Sequence, residues 1–125
     1  MDENAIAKKI VGASYKVHSA LGPGLFESVY ESVLGYELEQ QGFNVSYQKT
    51  IPIRYLDKVF DKGFVADLVV NDLVIIELKS VEKVRPVHIK QLLTYLKLSD
   101  RRLGLLINFG EASLKGSISR VVNGL

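Results

Sequence analysis

The sequence predicts an α/β fold built on a mixed sheet of four or five strands, and three observations predict it. Two stretches of helical periodicity fill the first 41 residues. Two runs rich in Val and Ile, Phe64–Val70 and Leu73–Leu78, are separated only by Asn71-Asp72. Asn and Asp tolerate the left-handed conformation of a tight turn, so the pair reads as a β-hairpin. Finally, the apolar run Leu103–Phe109 follows a third helical stretch. A strand, a crossover helix and a second strand make a unit with parallel strands.

The elements follow in order. Ile6, Ile10, Ala13, Val17 and Leu21 recur at helical spacing over residues 4–21, with Asp2 or Asn4 as a cap and Gly22-Pro23-Gly24 as the stop. His18 sits near the end of that helix and is expected to satisfy a carbonyl there. A second helix is predicted over roughly residues 25–41, with Phe26, Val29, Tyr30, Val33, Leu34 and Leu38 facing the core and Gly42 ending it. Phe43–Tyr47 and Ile51–Leu56 read as strands, and Asp57-Lys58 as a turn into Val59–Val70. Pro52 belongs at a sheet edge or a strand start, where its missing donor is harmless. After the hairpin comes a polar link, Ser80–Arg85. Pro86 then opens a third helix, whose core candidates are Val87, Leu92, Leu93, Leu96 and Leu98. Ile118–Val122 reads as a short closing strand with Arg120 outward.

With 125 residues the chain reads as one domain, residues 1–125. A net charge of +2 excludes a global basic field, so any phosphate-binding surface must be a local patch. The absence of cysteine excludes disulfides and thiolate metal sites. No apolar run approaches the ~20 residues needed to cross a bilayer, and the expected location is cytoplasmic.

The chemistry is concentrated in the hairpin, where three charged residues, Asp67, Glu77 and Lys79, interrupt the apolar runs. Strand alternation sends Glu77 and Lys79 to the same side. In a two-residue hairpin Asp67 would pair near residue 76, so a bulge or diagonal contact is expected to bring it to Glu77. An acid, then Glu-x-Lys on the next strand, is the layout of a metal-dependent phosphodiesterase. Two carboxylates and the Leu78 carbonyl suit Mg²⁺, which acidifies water, while the lysine orients that water or meets charge on the phosphate. The plainer alternative is a strand-edge polar residue and a surface ion pair. Against it stands the apolar setting, because charges in a strand buried on both faces are costly unless paired or metal-bound. Glu27, in the first turn of the second helix, either complements the helix dipole or adds a third carboxylate. Gln91 and Tyr95 are four apart and share a helix face, which His88 could join.

Five blocks now allow a family comparison: Gly24-Leu25-Phe26-Glu27-Ser28-Val29-Tyr30 with the preceding Leu21-Gly-Pro, then Phe64-Val-Ala-Asp-Leu, Ile76-Glu-Leu-Lys, Gln91-Leu-Leu-Thr-Tyr-Leu and Gly104-Leu-Leu-Ile-Asn-Phe. Together they resemble the small bacterial GxxExxY family, which is similar to the PD-(D/E)xK nuclease superfamily. The Gln-x-x-x-Tyr helix resembles that of the RecB-type branch. The resemblance implies a restriction-endonuclease-like mixed sheet flanked by helices, and a Mg²⁺- or Mn²⁺-dependent nuclease acting on DNA. It further implies Asp67 and Glu77 as metal ligands, Glu27 as a helical carboxylate near the metal, Lys79 as the catalytic lysine, and Gln91 and Tyr95 as braces of the site or of DNA. Ala66 stands where the motif usually has Pro. A homodimer or a protein partner could supply further surface for nucleic acid. The competing reading is a non-catalytic nucleic-acid-binding or protein-interaction module with the same fold.

Overall fold

In the computed structural model, which describes all 125 residues, the Asp2 carboxylate accepts a hydrogen bond from the Ala5 amide at 2.9 Å and starts helix α1 (Glu3–Leu21). Its buried seam is Ile6, Ala7, Ile10, Ala13, Ser14, Val17 and His18. Gly22 ends it at φ 71°, a left-handed value that needs glycine, with its N–H bonded to the His18 carbonyl. His18 itself answers a different carbonyl from the one expected. Its Nε2 donates to Glu111 O at 2.9 Å, far along the chain, and its ring lies against Phe109.

Helix α2 (Glu27–Gln40) buries Tyr30, Leu34, Gly35 and Leu38. Two of its predicted core residues are not core. Val29 is exposed, and Phe26 stands in front of the first turn in the solvent. Periodicity placed them on the apolar stripe, but the helix packs along a narrower seam centred on Tyr30, Leu34 and Leu38. A Cβ at Gly35 would come within 2.3 Å of the Tyr47 ring and would displace it.

The sheet has the order β1-β2-β3-β4-β5, with β1 Val45–Tyr55, β2 Lys58–Val70, β3 Val74–Lys79, β4 Leu103–Asn108 and β5 Ile118–Val122. Only β3 and β4 are parallel, joined by the crossover helix α3 (Pro86–Ser99). The two strands expected over residues 43–56 are one strand, β1, which forms the sheet edge and carries Pro52 at a register shift between Ile51 and Ile53. An edge position makes the missing donor harmless. The turn into β2 falls at Leu56-Asp57, one residue earlier than predicted, with Leu56 at φ 56°.

Helices α1 and α2 cover one face of the sheet over a core of 18 buried residues, including Leu68, Val70, Val74, Ile76, Leu78, Leu105 and Ile107. Helix α3 covers the other face over nine, including Val69, Ile75, Leu92, Leu96 and Leu106. Covering on both faces explains why β3 and β4 read as continuous apolar runs. Val87 and Leu98, both predicted as core, are exposed, because α3 contacts the sheet mainly through Leu92 and Leu96.

Candidate active site

The site forms where β2 and β3 part. Their ladder pairs Val70 with Val74, Val69 with Ile75 and Leu68 with Ile76, so one further step sets Asp67 opposite Glu77. The expectation of a bulge or diagonal contact rested on a two-residue turn, and the Asp67 carboxylate does reach one residue past its register partner, to the Leu78 amide. The connecting turn has three residues, Asn71, Asp72 and Leu73, and the extra residue shifts the register by the one step that was missing. Asn71 and Asp72 take φ of 52° and 56°. The Asp72 carboxylate pins the turn by accepting from Lys49 and Arg101, and these hydrogen bonds hold its pKa below the ordinary value.

Beyond Leu68 the β2–β3 ladder stops and side chains take over its bonds. Asp67 Oδ2 accepts from the Leu78 amide at 2.9 Å, and Glu77 Oε1 lies 3.4 Å from the Asp67 amide. Each acid thus engages main chain of the opposite strand, which satisfies backbone groups that the divergence would orphan. The two carboxylates are thereby held side by side. Burial, and then the charge of Asp67, push the Glu77 carboxyl up to about 8 from an ordinary 4.5. The Asp67 amide and the Lys79 ammonium pull in the opposite direction and only partly offset this.

Tyr95 reaches the same place from α3. Its ring stacks on Phe64 with centroids 3.9 Å apart. Its hydroxyl pKa is raised by burial and then by the charges of Glu77 and Asp67. Lys79 ends β3, half-buried, with its carbonyl accepting from the Phe109 amide at 2.8 Å. Gln91, one turn before Tyr95, is exposed and makes no side-chain hydrogen bond.

Across from Asp67 lies a cleft of about 260 Å³ lined by Glu27, Ser28, Glu31, Gln48, Asp67 and Leu78. Glu27 is exposed at this cleft, so it faces the side of Asp67 without touching the Asp67–Glu77 pair. No three His, Cys, Asp or Glu side chains gather closely enough to cage a metal ion. The expected trio of Glu27, Asp67 and Glu77 is therefore brought together only as the pair Asp67 and Glu77.

Two residues of this cleft escaped the sequence reading. Gln48 Nε2 donates to Asp67 Oδ1 at 3.1 Å and also to Glu31, so one amide bridges two acids. Gln48 holds this position at φ 45°, a left-handed value that costs a non-glycine residue of order 1 kcal/mol or more. Glu31 carried a usable signal, being one helical turn beyond Glu27. Gln48 carried none, since only strand pairing sets it across from Asp67.

Two further residues hold the frame. The Tyr30 hydroxyl donates to Gly22 O at 2.5 Å and accepts from the Leu25 amide at 3.2 Å, while its ring stacks on Phe109 with centroids 4.5 Å apart. Asn108, fully buried beside Lys79 in the β3–β4 register, clamps the link after β3. Its amide group bonds both the N–H and the carbonyl of Val81, and also the Gly110 amide.

A family profile described as the PD-(D/E)XK nuclease superfamily matches residues 4–121, nearly the entire chain. The five-stranded mixed sheet with three helices is consistent with the restriction-endonuclease-like fold of that superfamily. No curated protein matches the chain. No helix is long and apolar enough to cross a membrane.

Proposed function

The chain belongs to the PD-(D/E)XK nuclease superfamily, and on that premise we propose that it is a divalent-metal-dependent nuclease hydrolysing DNA phosphodiester bonds at Asp67, Glu77 and Lys79. The observation that carries the reading is the interlocked pair of acids, one of them raised to about 8 by burial and by its neighbour's charge. A cation between them would relieve both effects. The donor set is all oxygen, which fits hard Mg²⁺ or Mn²⁺. Asp67 and Glu77 would hold the ion, with the Leu78 carbonyl as a third protein oxygen. When bound, the ion supplies charge neutralisation at the phosphate and a water of lowered pKa.

The remaining chemistry belongs to side chains. Lys79 offers a point charge and three donors to a phosphate oxygen or to the attacking water. The Tyr95 ring is fixed by its stack on Phe64, and its hydroxyl would donate a hydrogen bond to a bound phosphate. Glu27 and Glu31 bound the cleft beside Asp67, and Gln48, bonded to both Glu31 and Asp67, holds the Asp67 carboxylate in orientation. Gln91 is free on the Tyr95 side to contact the nucleic-acid backbone.

The test is cleavage of single-stranded, double-stranded and branched DNA with Mg²⁺ or Mn²⁺, beside a Lys79→Ala control. Wild type is expected to cut. Lys79→Ala is expected to lose ~10²–10³ in rate with DNA affinity reduced only modestly. Binding without cleavage under any divalent ion would replace the enzyme with a binding module.

A further inference from the structure

The loop in front of α2 displays an aromatic ring on the residue that precedes the cleft residue Glu27. Phe26 is 83% exposed, with Leu25 and Val29 exposed beside it, and the next residue, Glu27, lines the cleft with Asp67. Nothing about this loop is slack. The Tyr30 hydroxyl ties Leu25 N to Gly22 O, and the Ser80 hydroxyl donates to Leu25 O at 2.6 Å. The loop is thereby fastened both to the end of α1 and to the residue after Lys79. A phenyl side chain left in water on a loop tied down in this way forgoes the hydrophobic free energy of burial.

The link that begins at Ser80 leads to a second feature. Lys83, Arg85 and Lys90 line a cleft of about 670 Å³ beside the start of α3, with Ser117, Ser119 and Glu111. None of the three cations is in an ion pair. Glu111 is the acid in this cleft, and its carboxylate is taken up by the Ser117 hydroxyl at 2.6 Å and the Asn108 amide at 3.4 Å. In a chain whose net charge is only +2, three unpaired cations in one cleft make a local anion-binding surface.

We propose that this surface binds a single-stranded segment of nucleic acid, with a base stacked on Phe26 and phosphates in the Lys83–Arg85–Lys90 cleft. The proposal rests on the nuclease reading of the neighbouring acids and narrows its substrate. A cationic groove combined with an aromatic platform is how proteins hold single strands without reading sequence. Bases of an intact duplex are already stacked and cannot offer Phe26 a face. A specific duplex interface also buries on the order of 1,000–2,500 Å² of protein. That is roughly a seventh to a third of the 7271 Å² this chain exposes.

The test is fluorescence anisotropy in EDTA, which separates binding from cutting. The probes are a labelled mixed-sequence oligodeoxynucleotide, its blunt duplex, and an abasic strand of equal length. The single strand is expected to bind more tightly than the duplex. Phe26→Ala is expected to weaken single-strand binding by about 5- to 100-fold and to leave the abasic strand unaffected, with Phe26→Tyr restoring affinity. Replacing Lys83, Arg85 and Lys90 together by Ala is expected to reduce the slope of log affinity against log salt by about 2. The proposal is overturned by equal or tighter duplex binding, by no binding of any probe, by a Phe26→Ala effect that persists on the abasic strand, or by an unchanged salt slope. It is equally overturned if sedimentation shows that Phe26→Ala dissociates a dimer, because the ring then serves a second copy of the chain. Retention of metal-dependent cleavage through any of these outcomes removes the single-strand proposal alone. Loss of cleavage in wild type removes the nuclease reading.

Discussion

Glu77 is the residue on which the electrostatics of the site turn. Its carboxyl is raised from 4.5 to about 8, by burial first and by the Asp67 charge second. The metal-free folded protein thus holds this proton more tightly than the unfolded chain does. The stability that follows is fully present below about pH 4.5 and is lost as pH rises through about 8. A shift of this size sets an upper bound of about 5 kcal/mol, since one pKa unit is about 1.36 kcal/mol. We expect urea unfolding in EDTA to show the protein distinctly less stable at pH 9 than at pH 5, with the fall largely absent in Glu77→Gln. An equally steep fall in the variant would assign the titration to another group. A cation must displace the same proton, so Mg²⁺ affinity should rise between pH 6 and pH 9 and binding at pH 7 should release a proton, measurable by calorimetry in buffers of different ionisation enthalpy.

At the scale of elements, the site depends on the end of β3 parting from the middle of β2 and on two loops held still. Strands β2 and β3 diverge at Asp67, and the acids themselves seal the opening. The link after β3 has no regular partner and hangs on the Asn108 side chain, which is buried between Val81 and Gly110. Asn108→Ala would leave the Val81 N–H and carbonyl and the Gly110 N–H without that partner. With each buried polar group worth about 1–3 kcal/mol when left unsatisfied, and water entering to satisfy some of them, we expect a loss of about 2–4 kcal/mol in denaturant unfolding. Amide exchange at Val81 and Gly110 should accelerate more than in α1. A stability loss under about 0.5 kcal/mol would show that the link holds its path without the clamp.

For the whole molecule, the two layers give the site its position. Helices α1 and α2 lie on one face of the sheet and α3 on the other, so the gap between β2 and β3 opens between Glu27 and Glu31 of α2 and Tyr95 of α3. Two acids held together by this scaffold keep a proton on Glu77 at neutral pH until a cation takes its place. Metal binding to the folded state alone should therefore stabilise the entire domain, by about 2.7 kcal/mol at a hundredfold excess over the dissociation constant. Thermal unfolding with and without Mg²⁺ or Mn²⁺ measures this gain, and Asp67→Asn should abolish most of it. Equal gains in both proteins would place the ion elsewhere.

The order and type of the elements were legible because their causes are local. Helical spacing from Ile6 to Leu38, the Pro86 start of α3, and the doubly covered runs of β3 and β4 each leave a pattern in consecutive residues. The same holds for Asp67, Glu77 and Lys79, since charges inside an apolar strand stand out by composition. What tertiary structure decided was everything that depends on register and on which side of an element finds a partner. The three-residue turn set Asp67 opposite Glu77, the left-handed Gln48 came to lie across from Asp67, and Asn108 became a clamp through contacts with residues far from it in sequence. Phe26 and Val29 fell on the predicted apolar stripe of α2, yet Tyr30 took the buried place through its stack on Phe109 and left Phe26 in water. Periodicity reports which residues are able to face a core. Only the packing of one element on another selects which of them do.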